Sequence, residues 1–265
     1  RARFLKGLAD TMALHPSFNV RHFEQRVDAM ILWGEANAEV VKSKSSLARE
    51  IFGTAPATSK KSTPVLERTT PKPTLSFFSA ACGAFALGAL VTRDNGEPSS
   101  LSSADSDTAQ RNSPQALFAL SEQALAVFEK TNAYDVDSVI AMLLQVLYLL
   151  HDGQMRVAHT TFPLVGKMVN VSRMMGLAVD PDEFSGTYTL FEAERRRRIW
   201  WDVVYYDTVV SDCMGQQPLI AEDSFNTRMP ADTDEGKFCP SSTAILPPEN
   251  DDVSGRFSYF ILKCK

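Results

Sequence analysis

The sequence has little cysteine, and none of it is paired. Cys82, Cys213, Cys239 and Cys264 are scattered along 265 residues, with no two at the C-x-x-C spacing through which a pair of thiolates grips one metal. Neither a zinc site nor a disulfide framework is therefore encoded in this stretch. Positive charge is not in excess either: 27 Lys and Arg stand against 32 Asp and Glu, a formal net charge of -5. A surface of that sign has no general attraction for a phosphate backbone. No run alternates apolar and polar residues with period two for long, so a substantial sheet is not indicated. Nothing at the start reads as a secretory signal, because Arg1-Ala2-Arg3-Phe4 leads into a mixed amphipathic stretch instead of a continuous apolar core. The sequence opens on Arg1 and ends just after the apolar run from Phe257 to Leu262, so we expect a fragment of a longer intracellular protein.

Catalytic patterns are missing as well. There is no G-x-S-x-G elbow, and no Cys has a His close to it in sequence that could act as its base. Gly83 and Gly88 are spaced as in a phosphate loop, but Ala89 stands where the lysine is needed. His151-Asp152 is the residue pair that helical phosphohydrolases place on a metal. His15, His22 and His159 supply no spacing that would complete such a site. A helical metal-dependent hydrolase is thus an alternative resting on two residues, and we expect no catalytic residue and no metal ligand.

What is present is apolar surface at helical spacing. With 44% apolar and 22% charged residues the chain can bury a large core, in one unit or two. Residues from Phe18 to Phe52 mix apolar and charged positions with helical period, Phe23, Val27, Met30 and Ile31 falling on one side. Residues 53–74 are rich in Pro, Ser, Thr and Lys and predict a flexible linker; residues 94–112, rich in Ser and Asp, predict a second. Between them, Leu75 to Val91 is almost wholly apolar and small, at the short end of what spans a bilayer; the interruptions Ser76, Ser79, Gly83 and Gly88 favour a buried, closely packed helix.

Ser113-Pro114 predicts a helix start, an N-cap followed by Pro at the first helical position. Asp135 or Asp137 caps the next helix, whose Val139 to Leu150 leaves scarcely a polar face and belongs at the centre of the core. A helix from Phe162 to Met175 ends with Gly176 as its left-handed C-cap, and a last one runs from about Tyr188 to Met214.

That last helix carries the densest charge. The four arginines of Glu192-Ala193-Glu194-Arg195-Arg196-Arg197-Arg198 step about 100° each, so they cannot share one face, and pairing with Glu192, Glu194 or Asp202 is expected. Trp200, Trp201, Tyr205 and Tyr206 follow as an aromatic stripe that reads as core. Met142, Met168, Met174 and Met175 suggest an alternative, an adaptable cavity sensing a small-molecule effector.

The segment from Phe162 to Met229 resembles the fungal-specific transcription factor domain, the middle homology region downstream of the binuclear zinc cluster in fungal regulators. One stretch of the family's pattern is met by Phe162, Gly166, Gly176, Leu177, Asp180 and Pro181, with Phe162, Asn170 and Ala178 replacing the family's Trp, Arg and His. The other, more specific stretch is met by Glu194, Arg196, Arg197, Arg198, Trp200, Trp201, Asp207, Ser211, Gly215 and Pro218, with Gln216-Gln217 lacking the usual Arg of the turn. Looser similarity extends over His15-Pro16, Phe23, Phe77-Phe78 and Ser113 to Leu150. The resemblance implies an all-α bundle of packed antiparallel helices and a non-enzymatic regulatory role in a nuclear, DNA-binding factor controlling RNA polymerase II transcription. Zinc and DNA contact would then belong to a six-cysteine module upstream of Arg1, with co-regulators or a homodimer as further partners and no membrane.

Overall fold

The computed structural model describes residues 17–43, 72–94, 113–153 and 157–247, with Phe260 and Leu262. Among them are six α-helices and no strand: α1 Val20–Ser43, α2 Leu75–Asp94, α3 Pro114–Thr131, α4 Val136–His151, α5 Phe162–Met174 and α6 Leu190–Cys213. A π-turn, Val157–Thr161, leads into α5, and a 3-10 turn, Pro181–Glu183, precedes α6. The all-α expectation is met. Apart from residues 72–74 and Asp94, the two polar inserts fall outside the described residues, as does everything from 44 to the expected helix end at Phe52.

The chain forms two compact units, one of Arg1–Glu24 with Thr74–Lys265 and one of Gln25–Pro73, the boundary falling inside α1. In the smaller unit the rest of α1 and residues 72–73 are described; in α1 the Asn37 amide turns back onto the Trp33 carbonyl at 2.8 Å.

The larger unit is organised by capping. Ser113 accepts a hydrogen bond from the Ala116 N–H with Pro114 in the first turn, as the sequence implies. Asp135, not Asp137, caps α4: its carboxylate takes the Ser138 N–H at 2.8 Å while the Ser138 hydroxyl takes the Asp135 N–H at 3.1 Å. The same carboxylate accepts the Ser76 hydroxyl at 2.7 Å, tying the start of α4 to the start of α2.

From that point α2 packs extensively on α3 and α4. Its small residues allow this. A Cβ added at Gly83 would lie 3.2 Å from Leu144 Cβ and 3.3 Å from Ser121 Oγ, so only Gly fits this approach without displacing a neighbour. Beside it Ser79 and Ser121 each donate to the other's carbonyl, at 2.7 and 2.9 Å, and Gln145 donates to the Ser121 hydroxyl at 3.0 Å. These bonds satisfy the polar groups that close packing buries and fix the register of three helices. Leu75–Thr92 is the one span among the described residues long and apolar enough to cross a bilayer, but 72% of it is buried inside the fold, as in a core helix. α4 is buried at every position from Asp137 to Leu149, and Phe118 stacks on Tyr148 with ring centroids 4.3 Å apart.

Candidate functional site

α6 begins at Leu190, two residues after the start expected near Tyr188. Thr189 is the N-cap, in a reciprocal box with Glu192: the Glu192 N–H donates to the Thr189 hydroxyl at 3.2 Å and the Thr189 N–H to the Glu192 carboxylate at 3.1 Å. The cap fixes the rotation of the helix, and the four arginines leave it in four directions.

Arg195 pairs with Asp137 at the start of α4. Arg196 lies over the Tyr188 ring, its Cζ 4.2 Å from the centroid, and reaches the Met175 carbonyl at 3.5 Å. Arg197 is buried and forked: Nε and Nη2 donate to the two oxygens of Asp180 at 3.0 and 2.8 Å, and Nη1 donates to Glu194 at 2.7 Å. Arg198, also buried, pairs with Glu235 at 2.6 Å and donates to the Thr233 hydroxyl at 2.5 Å. Of the three acids expected to meet these arginines, Glu194 does so, whereas Glu192 serves the cap. The other partners come from distant segments, which local helical spacing cannot reveal.

Those partners hold the long irregular segment after α6 against the helix. Its first anchor is Asp207, which accepts the Ile220 N–H at 2.7 Å and so closes the turn through Gly215, whose φ of 63° suits Gly. Arg173 at the end of α5 donates to the Leu219 carbonyl at 3.0 Å. Asn226 bridges to the turn after α5, its N–H donating to the Ala178 carbonyl at 3.1 Å and its side-chain oxygen accepting the Asp180 N–H at 2.9 Å. Thr227 donates to the Leu177 carbonyl at 2.7 Å. Arg228 donates its backbone N–H to Asp180 at 2.9 Å and its side chain to Asp180 at 3.1 Å and to Asp182. Glu194 accepts the Ala231 N–H at 2.9 Å. At the far end Asn19, which also caps α1, donates to the carbonyls of Glu235 and Phe238 at 3.2 and 3.3 Å.

Asp180 is therefore the hub, with a guanidinium on each side. Burial pushes its carboxyl up, but the hydrogen bonds from Arg197 and Arg228 outweigh that and hold it well below the usual carboxylate range. The hydrogen bond from Asp180 in turn raises Arg197 against its own burial, with Glu194 adding to the effect.

The tryptophans divide. Trp200 is fully buried and meets Phe225 at 5.5 Å, whereas Trp201 is partly exposed and donates its Nε1–H to the Arg228 carbonyl at 2.9 Å. Gly176 takes φ 72° and ends α5 as expected. Pro218 lies exposed in the turn that Gly215 opens. Asp137 pairs with Arg195 instead of capping α4, and Asn226, Thr227, Arg228, Thr233 and Glu235 lie in the irregular segment, where no period marks a residue as structural.

Chemically the arrangement binds segments of its own chain. Among the described residues no group of three or more His, Cys, Asp or Glu could hold a metal ion. The His151 ring lies 2.8 Å from the Leu147 carbonyl of its own helix. Met142 and Met168 are fully buried while Met174 is 66% exposed, so the four methionines do not wall one internal cavity.

The model of the fungal specific transcription factor domain matches residues 71–265. The chain belongs to that family. Members similar to it include the equisetin cluster transcription factor of Fusarium heterosporum, 28% identical over 150 residues, which cover 56% of this chain and 20% of that protein. A C6 finger domain transcription factor of Aspergillus niger is 27% identical over 110 residues, 41% of this chain and 14% of its own length. An uncharacterized transcriptional regulatory protein of Schizosaccharomyces pombe is 23% identical over 128 residues, 48% and 16% respectively. The aligned region thus spans a fifth or less of each of these relatives. No solved structure matches.

Within this transcription factor domain, the two stretches that carry the family pattern meet in space: Asp180 and Leu177 of the first are bonded to Arg197, Thr227 and Arg228 on and after the helix of the second. The turn that lacks the usual Arg closes through the backbone bond from Ile220 to Asp207.

Proposed function

We propose that this chain is the regulatory, middle homology domain of a nuclear DNA-binding transcription factor that controls RNA polymerase II transcription, and that it carries out no catalysis. The observation behind this reading is the use made of the family-pattern residues. Glu194, Arg197, Arg198, Trp200 and Asp207 are buried and engaged with the chain's own segments, which suits a scaffold that presents a surface and leaves no charged group poised over a substrate. DNA contact and zinc fall to a cysteine-rich module elsewhere in the longer protein, in keeping with the C6 finger named in the Aspergillus niger relative. Co-regulators or a second copy are the partners that such a domain would engage.

The test fuses the chain to an unrelated DNA-binding domain over a reporter gene. The fusion is expected to change transcription relative to the DNA-binding domain alone, and the purified chain is expected to hold no stoichiometric zinc and to select no DNA sequence at physiological salt. A fusion without effect, or a chain that by itself binds a preferred DNA site, overturns the proposal.

A further inference from the structure

Of the four consecutive arginines, Arg195, Arg197 and Arg198 each meet a carboxylate. Arg196 is held by the face of Tyr188 and the Met175 carbonyl, with no acid. Two exposed apolar side chains lie near it among polar ones. Phe184 packs edge-on to Tyr188 at 6.2 Å and is 44% exposed, and Met174, next to Met175 at the end of α5, is 66% exposed. Phe184, Tyr188 and Arg196 thus form one strip that reaches the Met175 backbone at the end of α5, with exposed Met174 the residue before it.

We infer that this strip is a docking surface for a peptide segment of a partner protein that sets an aromatic or aliphatic side chain against Phe184 and Met174 and one carboxylate against Arg196. Its composition, aromatic with Met and Arg, is that of interface anchors. Tyr188 holds the guanidinium in place, so little side-chain freedom remains to be lost on pairing, and its planar fork fits a carboxylate with two hydrogen bonds. The nearby acids do not take its place: the Glu192 carboxylate is held in the N-terminal cap and Asp182 by Arg197 and Arg228. A nucleic acid suits the strip less well, since a phosphate backbone calls for a series of cations and the strip holds one. The inference goes beyond the regulatory role and does not depend on which promoter or module the longer protein carries.

Fluorescence anisotropy with the 265-residue chain tests it. The probe is a short fluorescein-labelled peptide in which Asp and Glu alternate with Phe and Leu; controls carry Lys for the acids, or Ala for the apolar residues. The acidic, apolar peptide is expected to bind and both controls to bind at least about tenfold more weakly, with a similar loss on Arg196→Gln and on Phe184→Ser. Met174→Ser, at the most exposed position, provides a third variant whose folding is not at stake. Helical circular dichroism certifies each variant. No binding by the acidic peptide, or binding that ignores all three substitutions, overturns the inference. So does preference for a single-stranded oligonucleotide, or self-association of the chain by sedimentation that Phe184→Ser abolishes. None of these outcomes bears on the reporter result.

Discussion

The α2–α3–α4 layer and the α6 spine bury similar depths of chain by opposite means. In the first, small side chains let helices approach until an added Cβ would crowd Leu144, and the few polar groups are hydroxyls and an amide bonded to one another. In the second, a helix rich in charge is buried because its buried arginines find carboxylates, Arg197 those of Asp180 and Glu194 and Arg198 that of Glu235. Apolar packing loses stability in proportion to volume removed, at any pH. A buried ion pair contributes little net stability while intact, yet costs a great deal when one partner is lost. The layer is thus robust to conditions and sensitive to volume; the spine is the reverse.

The largest effect is expected at Trp200, in the spine, where the ring packs on Phe225. Replacing this fully buried ring by Ala should cost about 3–5 kcal/mol, enough to leave a marginal domain largely unfolded. Trp201→Phe keeps the ring area and removes one hydrogen bond to the Arg228 carbonyl, for about 1 kcal/mol. Urea unfolding followed by circular dichroism measures both, and equal losses would show that the two tryptophans are not divided as described.

Next in size is Arg197→Met. It leaves Asp180 and Glu194 buried without their main partner and should cost about 3–5 kcal/mol near neutral pH. Its signature is its pH dependence. The Asp180 carboxyl is depressed in the folded state, so its contribution is fully present above its unfolded value of about 3.9 and is lost as pH falls toward the lower folded value. The stability gap between the natural chain and Asp180→Asn should therefore narrow as pH drops below about 5. Leu144→Ala, in the apolar layer, should give an offset that stays constant over the same range. Parallel curves for both substitutions would remove the distinction between the regions.

A smaller effect tests the layer alone. Gly83→Ala gains about 1 kcal/mol of helix propensity but must push against Leu144 Cβ, an atom fixed to its backbone, at a cost of about 1–3 kcal/mol. The expected net result is a loss of about 1 kcal/mol in urea unfolding, and a stabilised variant would mean that α2 and α4 slide apart freely.

The same division explains what could be read from the sequence. The helix start at Ser113, the one at Asp135 or Asp137, the C-cap at Gly176 and the central place of Val139 to Leu149 were legible because each follows from a local rule: a cap, a left-handed Gly, an apolar run. That the four arginines could not share one face was legible from helix geometry. Their partners were not, since Asp137, Asp180 and Glu235 lie up to 58 residues from the arginines they meet, and sequence spacing carries no signal at that range. The candidate site was thus visible as a pattern belonging to a family, while the clamp that the pattern builds became visible only once Asn226 to Glu235 were placed against it.

The gentlest probe starts from a chain altered in neither region. Cys82, in α2, is buried, and burial pushes its thiol up to about 12, so at neutral pH it holds almost no thiolate. Cys239, in the segment after α6, is exposed, and the Ser241 hydroxyl 3.1 Å away, with that of Ser242, lowers its thiol below the ordinary value. Cys213 is exposed as well. With Cys264 replaced by Ser, a thiol reagent at neutral pH should label Cys239 first, Cys213 next, and Cys82 only at the rate of unfolding, as peptide mass spectrometry over time would resolve. Trp200→Ala should bring the Cys82 rate up to that of the exposed thiols, because a core that opens exposes α2. If Cys82 in the natural chain were labelled as fast as Cys239, the close packing of α2 against α3 and α4 would not be the state that the chain occupies in solution.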